Sequence, residues 1–203
     1  CNGQDHFYLE SQAVLVIPEE EDQLHVHSST QNTSEIQQVV AEALNLGFHQ
    51  VVAVCKRMGG GFGGKETQAA IPAVMASLVS YQLKRPARMI FTKDDDMKTT
   101  GKRHPFLIRY KSAFTSEGRI TGLEVKLFSN GGAYADLSTA IMERAMLHSD
   151  NAYFIPNVLI KGQVCRTNLP PNTALRGFGG PQGMANIENI MQGIAITLGK
   201  DAF

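Results

Sequence analysis

The spacing of apolar residues along the chain predicts a mixture of strands and helices. Alternating or β-branched runs predict strands at residues 13–17, 24–28, 50–55, 88–92, 106–114, 120–128 and 158–164. Apolar positions three or four residues apart predict helices at residues 36–44, 67–83 and 181–198. Pro72 would lie in the first turn of the second helix or kink it, and Gly183 and Gly193 would interrupt the third.

Turn and cap residues indicate how these elements are joined. TSEG at residues 115–118 connects two of the strands and predicts an antiparallel hairpin. Ser34 and Gln37 match a capping box for the first helix, and Gly47 is placed to end it. The hairpin excludes an all-parallel sheet, so we predict an α+β fold of mixed β-sheets with packed helices. We expect an internal boundary near residues 92–101.

A glycine-rich stretch, GGGFGGKE at residues 59–66, nearly matches the phosphate-binding loop G-x-x-x-x-G-K-[ST]. Glu66 stands where that loop needs a hydroxyl for Mg²⁺, and its carboxylate would repel phosphates. The acidic run at residues 94–96 fits a solvated turn better than a second Mg²⁺-binding strand. The spacing G-x-G-x-x-G is also present, but no regular βαβ series surrounds it. Nucleotide binding is therefore a weak alternative.

The pattern of strand, glycine turn and helix occurs twice. VCK at residues 54–56 precedes GFGG at 61–64, and VCR at 164–166 precedes GFGG at 177–180; a predicted helix comes after each turn. Glycine lets backbone amides approach a ligand closely, and helix N-termini favour anions. The repeat predicts two related turns that cradle one large anionic cofactor.

Composition limits the partners. Lys+Arg 19 balances Asp+Glu 19, which gives no reason to expect nucleic acid or an anionic membrane as partner. No apolar run approaches the roughly 20 residues of a membrane span. Cys1, Cys55 and Cys165 show no C-x-x-C pairing, so we expect neither disulfides nor a zinc site, but a soluble, cytoplasmic protein. Because the chain begins at Cys1 without Met, we expect it to be part of a longer polypeptide.

Five side chains near these motifs are candidates for a site, and each has a structural alternative. Glu66 could pair with the dipole of the following helix. Arg144 lies in an apolar segment and could form an ion pair with a neighbouring acid. Phe62 and Phe178, each flanked by glycines, could be core anchors, and Gln31 could be a loop residue before a helix cap.

Five motifs in order along the chain resemble the molybdenum hydroxylase family. They are GQDHFYLE (residues 3–10), STQNT (29–33), RMGGGFGGKE (57–66), MERA (142–145) and NTALRGFGGPQG (172–183). The resemblance covers essentially all of residues 1–203 and implies a partial molybdopterin-binding region. It implies molybdopterin as the cofactor, with no side chain ligating the metal directly.

The resemblance also implies roles for residues in the second, third and fifth motifs. Gln31 would hydrogen-bond an oxo ligand of molybdenum, and Phe62 and Gly63 would line the cofactor. Arg176 would contribute backbone contacts near the metal. The resemblance thus implies that the backbone of the glycine turn approaches molybdopterin and that the turn does not bind a nucleotide.

Three other residues would act on the substrate. Glu66 would hydrogen-bond a heterocycle, Arg144 would stabilise the negative charge that develops on it, and Phe178 would stack on its ring. Related aldehyde oxidases typically differ at the first two positions, so the resemblance favours a purine. It implies oxidation of hypoxanthine or xanthine to urate with water as the oxygen source; an aldehyde or another N-heterocycle is the alternative, and a purely structural subunit is a further one.

Parts of such an enzyme are missing from this chain. The family's general base, a glutamate, lies downstream, and its iron–sulfur clusters and FAD belong to other domains or subunits. We therefore expect the chain to be inert alone and to work with the rest of the molybdenum domain. The family also implies a homo-oligomer of the full enzyme.

Overall fold

A computed structural model describes residues 1–202. Its strands are β1 (Ala13–Pro18), β2 (Leu24–Ser28), β3 (Val51–Val54), β4 (Ala87–Ile90), β5 (Phe106–Phe114), β6 (Ile120–Gly132) and β7 (Val158–Arg166). Its helices are α1 (Thr33–Leu44), α2 (Ala70–Leu83), α3 (Lys93–Thr99), α4 (Ser138–Leu147) and α5 (Gly180–Leu198). Two short 3₁₀ helices cover Glu20–Asp22 and Phe48–Gln50. The chain divides into two compact units, residues 5–102 and residues 1–4 with 103–202.

The unit of residues 5–102 is built on a four-stranded sheet in the order β3-β2-β1-β4. β1 runs antiparallel to β2 and β4, whereas β2 and β3 are parallel. Alternate residues of β1 and β2 are buried, because strand side chains point to opposite faces. Val16 and Val26 are fully covered in a core shared with Ile36 and Val40 of α1 and Ala73 of α2.

The other unit contains a three-stranded sheet in the order β5-β6-β7. β5 and β6 form the predicted hairpin, and β7 lies parallel to β6. Val125 and Leu127 of β6 pack with Met142 of α4 and with Ile187 and Ile190 of α5. Both sheets therefore mix parallel and antiparallel pairs, which confirms the predicted α+β fold.

The third predicted helix is continuous, so the expectation of interruptions in it is wrong. α5 runs from Gly180 to Leu198 without a break at Gly183 or Gly193. A Cβ at Gly183 would lie 2.3 Å from the carbonyl oxygen of Ala145, so this glycine lets α5 approach the backbone of α4 closely. Gly183 therefore allows α4 and α5 to pack closely, and α5 stays helical through this position.

Two local assignments from sequence also differ from the structure. α1 is capped by Asn32, whose side chain accepts a hydrogen bond from the Glu35 amide, and it ends at the left-handed Asn45 instead of at Gly47. The capping box at Ser34 and Gln37 does not form, because the Gln37 amide donates to carbonyl groups outside the helix.

The acidic run at residues 94–96 is helical and not a solvated turn. It forms the first turn of α3, and Thr92 caps the helix by accepting from the Asp95 amide. The Asp96 carboxylate is buried and accepts hydrogen bonds from the Tyr8 hydroxyl at 2.8 Å and the Gln12 amide at 2.9 Å. It therefore ties α3 to the segment before β1.

Candidate functional site

The first glycine turn has a positive φ angle at three of its residues, two of which are consecutive. The φ angles of Gly60, Phe62 and Gly63 are 100°, 51° and 97°. The Gly64 amide closes the turn by donating to the Gly61 carbonyl at 2.8 Å. Two consecutive positive φ angles define a type I′ turn, which glycine adopts without strain and phenylalanine rarely does. The Phe62 side chain is 49% exposed.

The second glycine turn repeats this conformation in the other unit. Phe178 and Gly179 have φ angles of 50° and 96°, and the Gly180 amide donates to the Gly177 carbonyl at 2.9 Å. The shared GFGG sequence therefore encodes a shared turn. The two turns differ in the distance to the next helix, because α5 begins at once at Gly180 whereas α2 begins only at Ala70.

Gln31 lies against the first turn, and its side chain is oriented by backbone amides. Its Oε1 accepts from the Gly63 amide at 2.8 Å and from the Lys65 amide at 3.3 Å. Its own amide donates to the Lys65 carbonyl at 2.8 Å. Within residues 1–202 the Nε2 group of this exposed side chain has no acceptor. Gln31 thus presents an N–H₂ donor from a fixed position.

Close packing explains why the turn needs glycine beside Gln31. A Cβ added to Gly61 would lie 2.4 Å from the Gln31 Oε1 atom. At Gly64 it would lie 2.7 Å from the His6 ring and 2.8 Å from the Tyr8 ring. The turn is therefore fitted between Gln31 and the segment before β1, and a side chain at either glycine would displace one of them.

Lys65 does not serve as a phosphate-binding lysine. Its side chain is completely buried, and Nζ donates to the Glu10 carbonyl at 2.8 Å, the Glu10 carboxylate at 3.3 Å and the Ser29 hydroxyl at 2.8 Å. In a phosphate-binding loop the corresponding ammonium reaches the phosphates. Here all three of its protons are used inside the protein, which argues against the nucleotide-binding alternative.

Glu66 comes directly after the turn as a half-buried residue. Its amide donates to the Gly63 carbonyl at 3.5 Å, so the main chain continues the turn through this position. It lies outside α2, which begins at Ala70, and is therefore not a first-turn partner of that helix dipole. Gln31, Phe62, Gly63 and Glu66 are together in the unit of residues 5–102.

In the other unit, the second turn packs on the helix that carries Arg144. A Cβ at Gly179 would lie 2.1 Å from the Ile141 carbonyl oxygen and 3.1 Å from the Ala145 nitrogen. The backbone of α4 on both sides of Arg144 therefore touches the residue next to Phe178. Arg144 is exposed, and within residues 1–202 no Asp or Glu forms a salt bridge with it, so the alternative of an ion pair with Glu143 is not observed.

The backbone of Arg176 is held by a residue that the sequence did not single out. The guanidinium of Arg103 is buried, and it donates from one end to the Arg176 carbonyl at 2.9 Å and from Nε to Gln4 at 2.6 Å. Burial lowers the pKa of Arg103 below its usual value. No sequence signal pointed to Arg103, because its role depends on a contact 73 residues away.

A cavity of about 550 Å³ borders the partners of Lys65, because Glu10 and Ser29 are part of its lining. It opens on the exposed face of the four-stranded sheet, against Leu15, His27, Arg57 and Arg88. Its lining includes none of the sequence-predicted site residues. The first glycine turn, beside which the Gln31 donor is oriented, is the better candidate for a cofactor site.

Comparison with known proteins identifies the family. The model of the molybdopterin cofactor-binding domain family matches residues 1–203. The chain therefore belongs to the molybdopterin cofactor-binding domain family, as the motifs predicted. The predicted cofactor, molybdopterin, is confirmed at the level of this family.

Relatives in which about half of the aligned residues are identical to this chain are xanthine dehydrogenases. The chain is 51% identical over 199 residues to the xanthine dehydrogenase of Calliphora vicina, a match that covers 98% of this chain and 15% of the relative. It is 50% identical over 201 residues to that of Dictyostelium discoideum, covering 99% and 15%. The chain thus spans about 15% of the length of these relatives.

A solved structure shares the fold. The aldehyde oxidoreductase from Desulfovibrio gigas superposes with a TM-score of 0.88 at 27% identity, covering 98% of this chain and 22% of that chain. No helix within residues 1–202 has both the length and the apolar character needed to cross a membrane.

The residues present fit the cofactor of this family. The Gln31 Nε2 donor is oriented by two backbone amides, and glycines leave the turn beside it without Cβ atoms. An amide N–H₂ group can donate to oxygen ligands of a metal and to polar atoms of an organic cofactor. The site would hold the group by hydrogen bonds, with the metal ligated by other atoms.

Proposed function

We propose that this chain is part of a molybdopterin-dependent hydroxylase that oxidises hypoxanthine and xanthine to urate with water as the oxygen source. The observation that carries the proposal is the packing of α4 on the second glycine turn. It puts an exposed guanidinium and a half-buried phenyl ring on two segments in backbone contact. A planar, electron-poor heterocycle that gains negative charge needs these two groups.

The first turn would hold the cofactor. Gln31 would donate from Nε2 to an oxo group, while Phe62 and Gly63 would line the same region. When bound, molybdopterin supplies the redox chemistry of hydroxylation. Arg176 would contribute backbone contacts, and Arg103 would keep that backbone in place by binding its carbonyl.

Three side chains would act on the purine. Phe178 would stack on the ring and fix its plane, Glu66 would accept a hydrogen bond from a ring N–H, and Arg144 would face the charge that develops. In comparable sites, a preorganised donor aimed at such charge lowers the barrier by about 3 kcal/mol. Arg144 suits this role because it is exposed and free of salt bridges within residues 1–202.

The rest of the enzyme would supply what this chain lacks. We place the glutamate general base, the iron–sulfur clusters and FAD in other parts of the protein or in partner subunits. The relatives, of which this chain spans about 15%, leave ample length for them. We further propose a homo-oligomeric enzyme in the cytoplasm, where the three free cysteines would stay reduced.

An aldehyde is the second candidate substrate. The similarity to an aldehyde oxidoreductase at a TM-score of 0.88 favours it, but 27% identity to that protein is far below the 51% identity to a xanthine dehydrogenase. We therefore rank the purine first.

The proposal is tested with the full-length enzyme in water labelled with a heavy oxygen isotope. We expect bound molybdopterin, turnover of xanthine, and urate that carries the heavy oxygen of the solvent. Incorporation from molecular oxygen instead, or an enzyme loaded with molybdopterin that leaves xanthine unchanged, would contradict it.

A further inference from the structure

The buried ammonium of Lys65 has a full set of acceptors. Two hydrogen bonds go to the Glu10 carbonyl and the Ser29 hydroxyl, both at 2.8 Å, and a third goes to the Glu10 carboxylate at 3.3 Å. Nζ also lies 4.7 Å from the centre of the Tyr8 ring. Burial lowers the pKa of Lys65 below its usual value, and the charge of Glu10 opposes that change. The buried ammonium of Lys65 can stay charged because each of its three protons has an acceptor.

The Glu10 carboxylate connects this ammonium to the start of the glycine turn. Its Oε2 accepts from the Gly59 amide and the Ser29 hydroxyl, each at 2.7 Å. The Glu10 amide in turn donates to the Gly59 carbonyl at 3.1 Å. Burial acts to raise the pKa of Glu10, but the bonds from Ser29 and Gly59 and the charge of Lys65 outweigh it, so the pKa lies below its usual value.

Both ends of the turn are therefore fixed by one ion pair. Gly59, at the start, is bound to Glu10, and Lys65, at the end, is bound to Glu10 and Ser29. Between them lies Gly63, whose amide orients Gln31. The Lys65 main chain completes the link, because its carbonyl accepts from the Gln31 amide at 2.8 Å and the Thr30 hydroxyl at 3.0 Å.

We propose that Lys65 is a positioning residue: its ion pair with Glu10 fixes the glycine turn, and through the turn it sets the orientation of the Gln31 amide toward the cofactor. Lys65 touches neither cofactor nor substrate in this role. The catalytic consequence rests on the proposed function, whereas the effect on the turn does not.

The first test measures the turn itself by amide hydrogen exchange of the full-length protein without cofactor. In Lys65→Met we expect exchange at the Gly63 amide to rise by about tenfold or more, since that bond to Gln31 is no longer held in place. The matched control is Val40→Ala, which removes a fully buried side chain from the core of the same unit. The control should speed exchange in α1 but leave Gly63 at its wild-type rate.

A second variant keeps the test valid if Lys65→Met does not fold. The double variant Glu10→Gln with Lys65→Met removes both charges, so neither is left buried without a partner. It should show the same faster exchange at Gly63. If Gly63 exchanges in the folded variants as slowly as in Val40→Ala, the proposal is wrong.

The second test separates positioning from substrate binding in the loaded enzyme. With Gln31 misplaced, kcat for xanthine should fall by about tenfold to a hundredfold. KM should change less than kcat, because two of the three side chains proposed to bind the purine, Arg144 and Phe178, belong to the other unit. A rise in KM at unchanged kcat would overturn the inference. If the wild-type enzyme bound no molybdopterin, the proposed function would fail, and hydrogen exchange would still decide the role of Lys65.

Discussion

Replacing Gly179 by alanine should disturb the contact between the second glycine turn and α4. Gly179 has a φ of 96°, and its added Cβ would lie 2.1 Å from the Ile141 carbonyl oxygen and 3.1 Å from the Ala145 nitrogen. Both are main-chain atoms of a helix, so neither can rotate away. Gly180→Ala is the matched control, because its Cβ would meet nothing closer than the His148 ring at 3.5 Å.

The magnitude is the sum of two contributions. A left-handed conformation costs a residue with a Cβ about 1–2 kcal/mol, and overpacking a filled contact costs about 1–3 kcal/mol. Gly179→Ala should therefore destabilise the packing of α4 on α5 by roughly 2–5 kcal/mol. Gly180→Ala should be neutral or stabilise the start of α5 by up to about 1 kcal/mol, because alanine is the better helix former.

Amide hydrogen exchange in α4 and α5 of the full-length protein measures this difference. Since about 1.4 kcal/mol corresponds to a tenfold change, exchange in Gly179→Ala should be at least roughly 30-fold faster than in wild type. Turnover of xanthine should fall with it, because α4 carries Arg144. Equal exchange in the Gly179 and Gly180 variants would refute the reasoning that the turn and the helix depend on this contact.

Burial lowers the pKa of His104 from 6.5 to about 4, although Asp136 and Thr173 oppose the change. The free energy of unfolding of its unit should therefore decrease by roughly 3 kcal/mol as the pH falls from 6.5 to about 4. Urea unfolding over this pH range checks it, and His104→Gln should make the dependence on pH less steep. A dependence as steep in the variant as in the wild type would exclude His104 as a source. Gly61→Ala should displace Gln31 and lower the molybdenum content of the enzyme, measured by mass spectrometry. Gly193→Ala, whose Cβ would meet only the Tyr110 hydroxyl at 3.6 Å, should retain the metal, and equal molybdenum contents in the two variants would contradict this. The isolated 203-residue chain should form no urate from xanthine, because we place the general base elsewhere, and measurable turnover would disprove that.

Most regular elements could be predicted from sequence because their patterns are local. β2 and β5 have the predicted bounds. The local alternation of apolar and polar residues was sufficient to locate these two strands. The GFGG repeat also indicated two turns of the same kind, and both have the same pair of positive φ angles.

The errors came from contacts between distant residues. The acidic run of α3 looked solvated because nothing local shows that Tyr8 and Gln12 bind Asp96 from 84 or more positions away. Thr92 as a cap followed by acidic residues was the available signal for this helix. α4 was not predicted as a helix either, although its buried positions recur at helical spacing in the structure.

The candidate site was accessible from sequence only through its motifs. Glycine richness at residues 59–66 left nucleotide binding open, and the inward direction of Lys65 decides against it. That direction depends on Glu10 and Ser29, which no local pattern connects to the turn. The support of Arg176 by Arg103 was hidden for the same reason.

The most direct test of the central claim compares kcat/KM for xanthine with kcat/KM for an aromatic aldehyde, in the full-length enzyme and in Arg144→Met. We predict that the wild-type enzyme prefers the purine and that the variant loses about a hundredfold on xanthine, with far less change on the aldehyde. A wild-type preference for the aldehyde, or a purine preference that survives in Arg144→Met, would contradict the account.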